Sequence, residues 1–159
     1  MLPFYSMKKG GFTLIEILVV VAIISILVGS VLVGLGPAQR QGRDTRRIAD
    51  LRQIQNALEL YFAKCGYYPG TAQSTATCGA YQAVSTWGDL TTALTGSSLG
   101  VSQIPNDPTS GKNYVYGSDG TGYVLGATLE DPNNPVLQRS VKGTNYSVTC
   151  SGAVYCVTF

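Results

Sequence analysis

Lys8-Lys9-Gly10-Gly11-Phe12-Thr13-Leu14-Ile15-Glu16 passes from two cations through two glycines into an apolar run that reaches Gly36. Glu16 is the only ionisable side chain between Phe12 and Gly36. At about 1.5 Å per helical residue, a run of this length spans a bilayer core of roughly 30 Å. An ordinary secretory signal carries the lysines, a shorter apolar core and a small-residue cleavage site beyond it. Here the run is too long and holds a carboxylate near its start. A simple anchor helix leaves that carboxylate unexplained as well. An ionised group in lipid costs several kcal/mol unless paired, which marks Glu16 as functional.

Phe12 and Glu16 stand four residues apart, on one helix face. Cleavage after Gly11 would free an ammonium on Phe12 at the helix start. A carboxylate in the first turn suits the positive end of the helix dipole. A neighbouring copy, staggered along the axis, could set its Phe12 ammonium against this Glu16. The pair would then act as a register key, made only in correct packing. Small residues at Ala22, Ser25 and Gly29 allow helices to approach closely.

Outward from this stretch the chain divides into four parts. Residues 1–11 are a short basic leader, for which Met7 would suffice as a start. Residues 12–36 are the hydrophobic helix. Gly34-Leu35-Gly36-Pro37 predicts a kink or melted stretch, since glycine weakens a helix and proline removes a donor. Residues 37–64 continue as an amphipathic helix: Ile48, Leu51, Ile54 or Gln55, Leu58, Tyr61 and Phe62 recur at steps of three and four. Arginines and aspartates are assigned to the opposite face, and Gly66 and Pro69 end the helix. Residues 65–159 form a head. Within it 70–86 read as a loop, Trp87, Leu90 and Leu94 as a short helix capped near Asp89, and Pro105 and Pro108 as the bounds of a turn. The segments 114–116, 123–129, 146–150 and 154–159 read as three or four short antiparallel strands.

Eleven basic residues face nine acidic ones, and removing Lys8 and Lys9 balances the count. That argues against a nucleic-acid-binding surface. A local excess remains at Arg40, Arg43, Arg46, Arg47 and Arg52, against Asp44 and Asp50. Beside a membrane segment such a stretch meets phospholipid headgroups or acidic neighbours. Counted alone, these arginines would keep their side of the segment cytoplasmic. The cysteines argue the reverse. Cys65, Cys78, Cys150 and Cys156 form no C-x-x-C pair, there is no histidine, and an even count in an exported domain reads as two disulfides. Of the three pairings, Cys65–Cys78 with Cys150–Cys156 is favoured by closeness in sequence.

The run Gly11-Phe12-Thr13-Leu14-Ile15-Glu16 with its apolar continuation resembles the class III signal of type IV prepilins and type II secretion pseudopilins. A looser likeness extends through 46–51, 57–62 and 66–69 to Ile104-Pro105-Asn106-Asp107-Pro108 and Tyr114-Val115-Tyr116. The resemblance implies an α+β ladle, with a long N-terminal helix, half of it transmembrane, packed on a small antiparallel sheet. It implies cleavage after Gly11 by a prepilin peptidase, N-methylation of Phe12, and an inner-membrane pool. A machine then extracts the subunit into a helical homopolymer. The leading expectation is an extracellular type IV pilus filament. The alternative is a pseudopilin working with the type II secretion machinery, and a non-polymerising membrane-anchored binding module is a further one. The two disulfides lean towards a pilin, and the 104–116 region leans towards a pseudopilin.

Two motifs of other chemistry are set aside. Gly96-Ser97-Ser98-Leu99-Gly100 fits the hydrolase nucleophile elbow, but the chain has no histidine base, so no catalytic residue and no enzyme is expected. Asp107, Asp119, Glu130 and Asp131 offer oxygen ligands for calcium, and pseudopilins resembling this chain use a calcium loop. The spacing matches no EF-hand, so the expectation is no cofactor, with calcium as the exception. Asn145-Tyr146-Ser147 is a formal glycosylation sequon.

Overall fold

The computed structural model describes residues 10–70, 84, 86–96 and 98–159, without the side chains of 30–34. The leader at 1–9, Cys78, Ser97 and most of the expected 70–86 loop lie outside the described residues. The chain forms two compact units, Met1–Gln39 and Arg40–Phe159.

One helix, α1 (Leu14–Cys65, 52 residues), runs through both units. The melted stretch expected at Gly34-Leu35-Gly36-Pro37 does not occur: the helix is continuous there and Pro37 lies inside it. Proline removes one backbone donor and crowds the preceding turn, at a cost of about 3 kcal/mol, and the helix continues through it all the same. In the first unit the described apolar side chains are exposed all round the helix, from Leu14 (83%) to Val28 (50%). Among the described residues no helix is long and apolar enough to cross a membrane; the described side chains of the apolar run stop at Gly29 and resume at Leu35.

Helix α1 closes as its sequence dictates. Gly66 takes φ of 79° and its amide donates to the Phe62 carbonyl at 2.7 Å, a left-handed cap that glycine adopts without a Cβ penalty. The chain then turns back, and Phe62 stacks on Tyr68 with ring centroids 4.7 Å apart.

The second unit is α+β, with the later half of α1 packed on a small antiparallel sheet. Its strands are β1 (Val115–Ser118), β2 (Tyr123–Thr128), β3 (Gly143–Asn145), β4 (Val148–Cys150) and β5 (Val154–Thr158). They form a three-stranded sheet in the order β1-β2-β5 and a separate β3-β4 hairpin. A 3-10 turn, Pro135–Arg139, precedes the hairpin. Central strand β2 is buried on both faces. Tyr123, Leu125 and Ala127 join Leu51, Ile54, Leu58 and Tyr61 of α1 in the main core. On the other face Val124 packs with Cys150 and Cys156. Those two cysteines are disulfide-bonded and tie β4 to β5. Gly126 lies in register between Val115 and Cys156, where a Cβ would press on the Cys156 sulfur at 3.0 Å.

A local expectation changes here. The 146–150 strand begins later, because Tyr146 (φ 47°) and Ser147 (φ 65°) are the left-handed centre of the β3-β4 turn. The short helix, α2 (Trp87–Gly96), is capped near Asp89 as expected, with Thr86 and Asp89 capping it reciprocally. The Thr86 amide donates to Asp89 at 2.8 Å, and the Asp89 amide donates to the Thr86 hydroxyl at 3.2 Å.

The hairpin covers the sheet so closely that a Cβ on Gly117 would collide with the Tyr146 carbonyl oxygen. Gly117→Ala is therefore expected to destabilise the fold by about 1–3 kcal/mol. Gly42→Ala, at an exposed position within α1 with open space around its Cβ, should stabilise it by about 0.5–1 kcal/mol. Denaturant unfolding of both variants measures the pair.

Candidate functional site

Two groups of side chains carry the chemistry, one at each end of the sequence between Gly11 and Glu130. At the first, Gly11 and Phe12 precede α1, and Phe12 is 84% exposed. Thr13 is the N-cap and Glu16 the third helical residue. The Thr13 amide and hydroxyl both donate to Glu16 Oε2, at 2.7 and 2.6 Å. The Glu16 amide lies 3.3 Å from the Thr13 hydroxyl. This is a capping box, in which donors orphaned at a helix start are satisfied reciprocally. Glu16 thus has work to do within its own chain, which its reading as a lone charge overlooked although T-x-x-E was visible. Both bonds use Oε2, which leaves Oε1 directed to no described group. Phe12 and Glu16 are both exposed, and no described contact joins them.

The second group lies where the amphipathic part of α1 begins. Arg47 is fully buried and Asp44 with it. The Arg47 guanidinium uses all five of its donors. It grips Asp107 in a bidentate pair at 2.8 and 3.0 Å and donates to Thr109 at 2.8 Å. It also donates to Asp44 at 2.8 Å and to Glu130 at 2.9 Å. Asp44 in turn accepts the backbone amides of Glu130 and Asp131 at 2.9 and 3.0 Å. Arg43 binds Glu130 through two parallel bonds of 2.7 and 2.6 Å. Arg47 and Asp44 therefore do not belong to the exposed face assigned to the arginines and aspartates. Asp50 is buried as well and accepts the Tyr114 hydroxyl at 2.7 Å.

The geometry fixes the electrostatics. Hydrogen bonds from Arg43, seconded by Arg47, hold the Glu130 carboxyl down at about 2. Burial opposes the charge of Asp107, yet bonds from Arg47 and the Thr109 amide bring its carboxyl below the usual range. Of the four candidate calcium ligands, Asp107 and Glu130 thus face guanidinium groups. Asp119 accepts the amides of Thr121 and Gly122 and the Thr121 hydroxyl, and Asp131 accepts the Asn133 amide. Among the described residues no three His, Cys, Asp or Glu side chains converge to hold a metal ion. Cys65 is disulfide-bonded; its expected partner Cys78, like Ser97 of the elbow motif, lies outside the described residues.

Removing the guanidinium takes the cation from Asp44 and Asp107, while Glu130 keeps Arg43. Arg47→Met is expected to cost about 3–5 kcal/mol of stability, and Arg47→Lys to rescue little, because a point charge cannot reproduce the fork. Glu130 and Asp107 ionise more readily folded than unfolded, so their contribution is present above the ordinary carboxyl range and is lost as pH falls towards about 2. Unfolding free energy measured from pH 6 down to pH 2 should fall across that window, and less so in Glu130→Gln.

Against known proteins, the family described as "Prokaryotic N-terminal methylation motif" matches residues 6–32. The chain is also similar to three proteins named type II secretion system core protein G. Identity is 35% for that of Escherichia coli (strain K12), over 66 residues that make up 42% of this chain and 46% of the relative. It is 32% for that of Aeromonas hydrophila, over 42% and 46%. It is 35% for that of Vibrio cholerae serotype O1 (strain ATCC 39315 / El Tor Inaba N16961), over 42% and 45%. The match thus spans about half the length of these curated relatives. No solved structure gives a significant match. Gly11, Phe12 and the capped Glu16 thus head an apolar helix in the stretch that matches the methylation motif, and the chain is similar over part of its length to type II secretion core G proteins.

Proposed function

We propose that the chain is a pseudopilin, a structural subunit that is cut after Gly11 and polymerised through α1 into a filament serving secretion. The observation that carries this reading is the likeness to the core G proteins, and it favours a secretion filament over a pilus. The physics of the helix supports it. A helix apolar on every side must be covered, by lipid before assembly and by other copies after it. On this reading prepilin peptidase is the processing partner, the inner membrane holds the pool, and the secretion assembly machinery draws subunits out. The Phe12 ammonium of one copy then meets the free Oε1 of Glu16 on the next. The Cys150–Cys156 disulfide gives a pilus filament, exposed at the cell surface, its claim as the second reading.

Glu16→Gln separates capping from pairing. Glutamine also serves at the third position of a capping box, so the helix start survives while the charge is lost. Filament yield should fall by roughly a hundredfold or more in both Glu16→Gln and Glu16→Ala, as when a buried ion pair loses one partner. Wild-type assembly by Glu16→Gln would reduce Glu16 to a helix cap. Mass spectrometry of the N-terminal peptide supplies the second check. Chain beginning at N-methylated Phe12 and confined to membranes fits the pseudopilin, abundance in sheared surface material fits the pilus, and an intact leader everywhere overturns both.

A further inference from the structure

The arginine centre leaves an unusual remainder. Arg47 is enclosed, Arg43 is committed to Glu130, and Arg46 lies 3.7 Å from Asp50. Among the described residues Arg40 takes part in no ion pair, and neither does Lys112 from the turn before β1. These two cations border one cleft of about 500 Å³, whose other lining residues are Arg43, Pro108, Thr109 and Glu130. Glu130 is its only acid, and both of its oxygens are already taken by Arg43 and Arg47. The acid that follows, Asp131, turns to the Asn133 amide. The cleft therefore presents two unneutralised cations to an incoming group.

Arg40 is the first charged residue after Gly36, four positions beyond the apolar run. We infer that the cleft receives the phosphate of an anionic phospholipid headgroup, with Arg40 and Lys112 as its ligands and Arg43 positioned behind them by Glu130. The inference rests on the reading that the apolar run lies in the membrane. It assigns the subunit a lipid preference in its pool state. It also gives the arginines a partner on the side to which charge counting alone would not send them.

The test reconstitutes the full chain into vesicles of phosphatidylcholine, with or without phosphatidylglycerol bearing a photoreactive headgroup, and maps crosslinks by mass spectrometry. Crosslinks are expected in the peptides carrying Arg40 and Thr109 to Lys112. They should weaken about 25-fold in Arg40→Gln/Lys112→Gln, at about fivefold for each cation near a lipid surface. The charge-matched control Arg52→Gln/Lys142→Gln should keep them. Unchanged crosslinking in the cleft variant, or equal crosslinking with a photoreactive phosphatidylcholine, overturns the site while leaving membrane insertion standing. Failure to enter vesicles of either composition overturns the membrane reading with it. Displacement by millimolar inorganic phosphate would make the cleft a soluble-anion site, and a cleft variant impaired only in assembly would make it a contact between copies; both outcomes overturn the lipid assignment.

Discussion

A single guanidinium fastens the second unit together. Arg47 sits on α1, yet its partners come from two distant turns, Asp107-Thr109 and Glu130, and Asp44 on the same helix holds the amides of the second turn. Arg43 to Glu130 and Tyr114 to Asp50 add further polar bonds between this helix segment and the residues that flank the sheet. Buried charge is expensive to desolvate, and five satisfied donors with carboxylate partners are what make it tolerable here. Such a centre specifies a position more sharply than leucines would, because a shift of one residue would break several charged bonds at once. The apolar core below it can then be modest: the Leu51–Tyr61 stretch of helix, about three turns, laid on a strand buried on both faces.

Much of this was legible, and the misses have physical causes. The stripe Leu51, Ile54, Leu58 and Tyr61 announced the packed face, and all four are buried. Continued backwards by steps of three and four, the same stripe reaches Arg47 and Asp44. Their charge argued for solvent, and only the partners at Asp107 and Glu130, sixty and more residues away, reverse that argument. Strand β3 went unseen because Gly143-Thr144-Asn145 has a single β-former and its turn, Tyr146-Ser147, lacks the glycine that usually marks one. At Pro37 the expected melting did not follow, because the helix continues on both sides of the proline. At the amino end Glu16 was singled out for its charge, whereas its hydrogen bonds to Thr13 are what the isolated chain displays.

These two sites give the two units different grammars. The first is apolar on every side and closed at its start by a neutral threonine and one carboxylate, so its surface is specified for other molecules. The second pairs its buried charges internally, around Arg47. The contrast is between a part whose apolar side chains are exposed and a part with its own buried core.

The strand order carries a consequence in time. Central β2 can be completed only by β5, whose residues Val154–Thr158 are synthesised some thirty positions later. The disulfide partner Cys156 arrives on that same strand. Helix α1, whose backbone bonds are local, can form as soon as it leaves the ribosome, while the sheet must wait for β5. During that interval Tyr123, Val124 and Leu125 are bare on one edge. A subunit held at the membrane by its first unit would spend the interval tethered and apart from its fellows, which protects an unfinished sheet from pairing with another.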